Sequence, residues 1–177
     1  AGLMGHGIAQ VFALAGHDVT ITDSFAANLD TVKARIATNL RDLGDDEKAV
    51  ERVRPVVALA DAVRDADFVV EAVLEDMPLK QKLFAEIEGY VRPTTILASN
   101  TSVMPITEIM KGLPRRDRAV GTLCWNPPFL VPLVQVIGTR WTPPSNRDFT
   151  STPHAAAGRL PPHATQDLPG LLTNRDT

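Results

Sequence analysis

The sequence predicts an α/β fold, a doubly wound and mostly parallel sheet with helices on both faces. Three observations lead there. Short β-branched runs alternate with stretches of helical apolar spacing, the order that crossover units of a parallel sheet produce. Glycines stand at the start of the first helix, and an acid closes the strand after it. The apolar share, 44% of 177 residues, is enough for a packed core.

Taken in order, Met4, Ile8, Val11, Phe12 and Ala15 keep the spacing of one helical face, and Gly16 ends that helix. Asp18 to Asp23 is β-branched and about one strand long. Residues 25–43 read as a helix with Leu29, Val32, Ile36 and Leu40 on one face, and a short polar helix is expected over 45–53. Val56 to Leu59 is expected as a short strand and Ala66 to Val73 as a buried one. Met77 to Tyr90 reads as a helix whose first turn tolerates Pro78 and whose apolar face is Leu79, Leu83 and Ile87. Thr95 to Ser99 predicts a strand, 105–112 a helix, Ala119 to Cys124 a strand, and Leu130 to Ile137 a last extended segment. Beyond 141 the periodicity fades and prolines gather at Pro143, Pro144, Pro153, Pro161, Pro162 and Pro169. Residues 1–140 therefore read as one domain and 141–177 as an irregular Pro-rich tail.

Composition narrows the function. A net charge of -3 gives nothing to attract nucleic acid or an anionic membrane surface. No apolar run approaches the roughly 20 residues that span a bilayer, and no export leader is visible. A lone cysteine, Cys124, forms no internal disulfide and suits a reducing cytoplasm. His6, His17, His154 and His163 offer no helical metal-binding pair, so no metal is expected. No nucleic-acid or membrane partner is therefore expected.

The opening Gly2-Leu3-Met4-Gly5 names a cofactor. Gly2 and Gly5 fit the second and third glycines of a Rossmann-like G-x-G-x-x-G turn, with the first glycine and the preceding central strand absent. Such a turn presents free N–H groups and a positive helix end to a pyrophosphate. Asp23 lies 18 residues after Gly5, where an acid can accept hydrogen bonds from the adenosine ribose and favour NAD over NADP. His6, one turn into that helix, is expected at the surface or near the phosphates.

Three later blocks are more specific. They are Val70-Glu71-Ala72-Val73-Leu74-Glu75-Asp76 with Lys80, Ala98-Ser99-Asn100-Thr101-Ser102, and Gly121-Thr122-Leu123-Cys124-Trp125-Asn126-Pro127-Pro128. With the glycine turn they resemble the cofactor domain of the 3-hydroxyacyl-CoA dehydrogenase family, including its lambda-crystallin-like relatives, over roughly residues 1–140. The resemblance implies NAD as cofactor, with Gly2, Leu3, Met4, Gly5, Asp23, Glu75, Lys80, Asn100, Ser102 and Asn126 around it. It also implies that Ser102 contacts the substrate hydroxyl and that Asn126 stands beside nicotinamide and base. Asp167 to Arg175 is similar to the segment that opens the family's helical second domain, where Asn174 would match an active-site asparagine. That domain, which brings dimer contacts and part of the acyl-CoA cleft, is expected to be absent.

Family chemistry oxidises a 3-hydroxyacyl thioester. A histidine takes the hydroxyl proton and a glutamate orients the histidine. The matching positions here hold Leu123 and Gln135, twelve residues apart. Leucine accepts no proton and glutamine carries no charge. Catalysis is therefore expected to be impaired or lost. A non-catalytic nucleotide-binding or crystallin-like protein, and a related hydroxyacid dehydrogenase, are the competing readings. Cys124 neighbours the missing base but should point the opposite way on a strand.

Overall fold

Helix α1 (Leu3–Leu14) opens a computed structural model that describes residues 1–156, 158–161 and 163–164. It is buried on two sides. Ala9 and Ala13 pack with Ile21, Val32, Ile36, Leu40 and Val53, while Ile8 and Phe12 pack with Cys124 and Val134 and touch Phe68 and Val70. One helix thus spans two clusters. Gly16, at φ +89°, makes the left-handed step that ends the helical path and turns the chain into strand β1 (Val19–Ile21).

Helix α2 (Ala26–Leu43) carries the predicted stripe: Leu29, Val32, Ile36 and Leu40 are all buried. Burying each such side chain contributes roughly 1.5–3 kcal/mol. A 3-10 turn over Glu47–Arg52 stands where the short polar helix is expected, capped by the Asp46 side chain. Strand β2 is Val53–Pro55, not Val56 to Leu59. It pairs in parallel with β1, Val19 facing Val53 and Ile21 facing Pro55. The apolar run after Pro55 misleads because Val57 is 84% exposed, and Leu59 instead begins a short helix, α3 (Leu59–Val63), absent from the sequence reading.

Strand β3 (Phe68–Glu71), helix α4 (Met77–Glu88), strand β4 (Ile96–Ser99), helix α5 (Ile106–Met110), strand β5 (Ala119–Cys124) and strand β6 (Val134–Gly138) follow at the predicted places. The inward face of α4 differs from the expected Leu79, Leu83, Ile87. Leu79 is exposed, and the buried residues are Lys80, Phe84 and Ile87. The helix is rotated because Lys80 has a buried partner beneath it, described below. Strands β3, β4 and β5 are parallel, whereas β6 runs antiparallel to β5.

The segment after 141 is more regular than its prolines suggest. Helix α6 covers Pro144–Ala156, and β7 (His163–Ala164) adds in parallel to β6. Proline is tolerated at the start of α6 because first-turn N–H groups need no partner. Thr150, Ser151 and Thr152 return their hydroxyls to the carbonyls of Asn146, Arg147 and Asp148. Thr150 and His154, four apart, bury the inner face. Residues from 165 on, Asn174 included, lie outside the described residues.

The strands form two sheets rather than one. One holds β1 and β2, the other β3-β4-β5-β6-β7. Strands β1 and β3 share no ladder, and α1 packs against both sheets. No helix among the described residues is long and apolar enough to cross a membrane.

Candidate functional site

The carboxyl ends of β3, β4 and β5 end on one side of the larger sheet, and a cleft of about 350 Å³ opens there. In open α/β sheets that end is where loops and helix N-termini can meet a ligand. Ala72, Val73 and Glu75 come from the loop after β3, Asn100 and Ser102 from the loop after β4, Trp125 and Asn126 from the loop after β5. Met4 enters from the first turn of α1, Lys80 from α4, and Leu123 and Cys124 from the end of β5. Met4, Glu75, Lys80, Asn100, Ser102 and Asn126, far apart in sequence, thus share one wall or another of a single cleft.

An ion-paired network underlies it. Lys80 Nζ lies 2.6 Å from Glu71 Oε1 and 3.4 Å from Glu75 Oε2, with the side chains of Lys80 and Glu71 1% and 0% exposed. Glu71 also accepts from Ser99 Oγ at 2.6 Å and from the Val73 N–H at 2.7 Å. A buried charge is tolerated only when paired and hydrogen-bonded in this way. Glu75, partly exposed, accepts from Thr101 Oγ1 at 2.8 Å and from the Ser102 N–H at 3.0 Å. Asn100 Oδ1 accepts the Cys124 N–H at 2.8 Å, tying the β4 loop to β5. Asn126 precedes a cis proline, Pro127.

The sequence reading missed Glu71 and Thr101. The signal for Glu71 was there: an acid at the end of a buried apolar strand needs a cation, and Lys80 follows nine residues later. Thr101 had none, since only the loop's path brings its hydroxyl to Glu75.

Leu123 and Gln135 are direct partners across the antiparallel β5–β6 ladder. Opposed residues project to the same face with Cβ atoms about 5 Å apart. Both are buried, and Gln135 Oε1 has no hydrogen-bond partner among the described residues. Cys124 packs on the opposite side with Ile8 and Phe12, while Leu123 packs with Phe84 and Ile137. Burial pushes the Cys124 thiol up to about 12, the charge of Arg159 opposing only weakly, so it is no base at neutral pH.

The glycine turn is near its acid. Asp23 Oδ2 lies 2.8 Å from the Ala1 nitrogen, beside Gly2, and accepts from Asn28 Nδ2 at 2.9 Å. Oδ1 accepts the Phe25 N–H. A Cβ added to Gly2 or Gly5 would meet nothing, and no side chain caps the N-terminus of α1. Open backbone and uncapped N–H groups fit a dinucleotide pyrophosphate at that point. Close packing occurs at Gly7, whose added Cβ would sit 2.9 Å from Pro128 Cδ. His6 is not a surface residue: it is buried, its Nδ1 2.9 Å from the Gly2 carbonyl, and desolvation holds its imidazole below the usual range.

The family model described as the NAD-binding domain of 3-hydroxyacyl-CoA dehydrogenase matches residues 1–167. The chain is 35% identical to a human mitochondrial hydroxyacyl-coenzyme A dehydrogenase, over 98% of this chain and 59% of that one. It is 34% identical to an L-carnitine dehydrogenase of Streptomyces griseus, over 98% of this chain and 53% of that one. The fold superposes on an (S)-3-hydroxybutyryl-CoA dehydrogenase of Ralstonia eutropha with a TM-score of 0.92 at 30% identity, covering 98% of this chain and 64% of that one. The chain thus spans a little over half the length of the curated relatives described.

Proposed function

This chain belongs to the 3-hydroxyacyl-CoA dehydrogenase family, matching its NAD-binding domain, and from that premise we propose that it binds NAD in the cleft above Lys80 while oxidising 3-hydroxyacyl thioesters poorly or not at all. The observation that carries this reading is the pairing of Leu123 with Gln135 beside a cleft lined by Met4, Glu75, Lys80, Asn100, Ser102 and Asn126.

In this reading Gly2, Leu3, Met4 and Gly5 receive the pyrophosphate on backbone N–H groups. Asp23 accepts from the adenosine ribose. Glu75, Lys80, Asn100, Ser102 and Asn126 surround the nicotinamide half, and Ser102 donates to the substrate hydroxyl. NAD, when bound, supplies the hydride acceptor. What this chain does not supply is the proton acceptor: Leu123 stands where a base would, and Gln135 where its orienter would. Losing a positioned base typically costs about 10²–10⁴ in rate. The non-catalytic reading, nucleotide binding without turnover, rests on the same pair.

The similarity to an L-carnitine dehydrogenase favours one second reading, a free hydroxyacid as substrate in place of a CoA thioester. A net charge of -3 supports a small molecule over nucleic acid or membrane as partner. Cys124, unpaired and buried, is compatible with a cytoplasmic setting. We take residues 1–140 as the core of the cofactor unit.

Calorimetric titration tests the proposal. Saturable heat with NAD, together with 3-hydroxybutyryl-CoA turnover at least about 10²-fold below a relative that carries the base, is the expected result. Absence of NAD binding would overturn the cofactor assignment, and family-like turnover would overturn the loss of catalysis.

A further inference from the structure

We propose that Glu75 sets the redox-state preference of the cleft, biasing it toward the oxidised, cationic nicotinamide. The inference rests on the cofactor reading above and goes beyond it, because it concerns which form of the cofactor the cleft holds more tightly.

Charge is unevenly placed among the lining residues. Only Glu75 and Lys80 carry any. Lys80 is 1% exposed and its ammonium lies 2.6 Å from the fully buried Glu71 carboxylate. The ammonium donates to Glu71 Oε1 and to the Val73 carbonyl, and it is ion-paired with Glu75 Oε2 at 3.4 Å. Lys80 is therefore neutralised by its own neighbours. Two carboxylates share that single ammonium, so the trio carries a net charge of about -1 when all three groups are ionised.

Glu75 is the member of the trio that reaches solvent, with its side chain 38% exposed, and the surplus charge sits on it. Thr101 and Ser102 hold the carboxylate in place through its two oxygens. The rest of the lining is neutral, either apolar (Met4, Val73, Leu123) or uncharged and polar (Asn100, Asn126). Gln135 behind Leu123 adds no charge either.

An oxidised nicotinamide ring carries one positive charge and a reduced ring carries none. The pyrophosphate, sugars and adenine are the same in both forms, so their contacts cancel from the ratio of the two affinities. What survives in that ratio is the ring's interaction with the cleft's net charge. A unit charge pair a few ångströms apart at a partly wet protein site, discounted for exposure and salt, is worth on the order of tenfold in affinity.

The test is the ratio Kd(NADH)/Kd(NAD⁺), measured by calorimetry on the full chain and on three variants. Glu75→Gln keeps an acceptor for Thr101 and Ser102 but removes the charge, and should lower the ratio about tenfold. Glu75→Asp keeps the charge and should hold the ratio near that of the parent. Glu86→Gln, an exposed site on α4 away from the cleft, should leave it unchanged. Raising the salt concentration on the parent alone should move its ratio toward that of Glu75→Gln, which tests the assignment even if that variant folds poorly. Both nucleotides binding with a ratio unmoved by Glu75→Gln and by salt would overturn the role of Glu75 and leave the cofactor reading intact. No heat with either nucleotide would overturn both.

Discussion

Leu123 and Gln135 show what a pair of residues can decide. Each is an ordinary buried residue when taken alone. They are opposed across β5 and β6, and the proposed function puts a missing base and its missing orienter at these two positions. Gln135 Oε1 is a buried acceptor without a hydrogen-bond partner among the described residues, and the leucine across the ladder has nothing to donate. Installing both Leu123→His and Gln135→Glu should raise NAD-dependent oxidation of 3-hydroxybutyryl-CoA by about 10²-fold or more. Either change alone should do less, because the two act as a unit. An initial-rate assay of the parent, the two single variants and the double variant decides it; a flat series would sink the idea. Lys80 supports the same cleft differently. Lys80→Met strands Glu71 as an unpaired buried charge and should cost about 3–5 kcal/mol of stability, read as a lower urea midpoint. Changing Glu71→Gln as well should restore part of it.

At the scale of elements, α1 and α6 carry the testable consequences. Gly7 lets α1 lie against the loop that presents Asn126, with Pro128 and Phe129 in the space a side chain would take. Gly7→Ala should overpack that contact at a cost of about 1–3 kcal/mol and weaken NAD binding by displacing the loop. Unchanged thermal stability and affinity would show that the loop yields freely. In α6, His154 lies edge-on to Phe12 and Phe68, and neither ring nitrogen has a hydrogen-bond partner among the described residues. Burial, with Arg159 adding to it, lowers its pKa from 6.5 to about 4. Below pH 6.5 the unfolded chain gains a proton that the folded chain refuses. Stability is therefore intact above that pH and declines as pH falls toward 4, by up to about 3 kcal/mol. Melting curves at several pH values should show this slope in the parent and a shallower one in His154→Phe.

The whole molecule is a sheet in two parts. The β1–β2 pair holds no ladder to β3 and is joined to the larger sheet through α1 and its two packing clusters. Two-stranded sheets are marginal by themselves, so amides of β1 and β2 should exchange with solvent well before those of β4 and β5. Hydrogen exchange resolved by residue measures this, and equal protection in both sheets would mean that α1 couples them into one cooperative unit.

Local pattern was enough to reveal the alternation of strands and helices, the α2 stripe, the Gly16 stop, and the glycine turn with Asp23. Each is a matter of spacing or residue type, written along the chain. Other features depended on contacts made from afar. Residues 53–55 rather than 56–59 form a strand because β1 offers them a ladder, and α4 turns Lys80 inward because Glu71 waits there. Polar α6 becomes a helix because its Thr150 and His154 face finds a surface to bury against. Pairing, burial and charge compensation are properties of two segments at once, so no single stretch of sequence displays them.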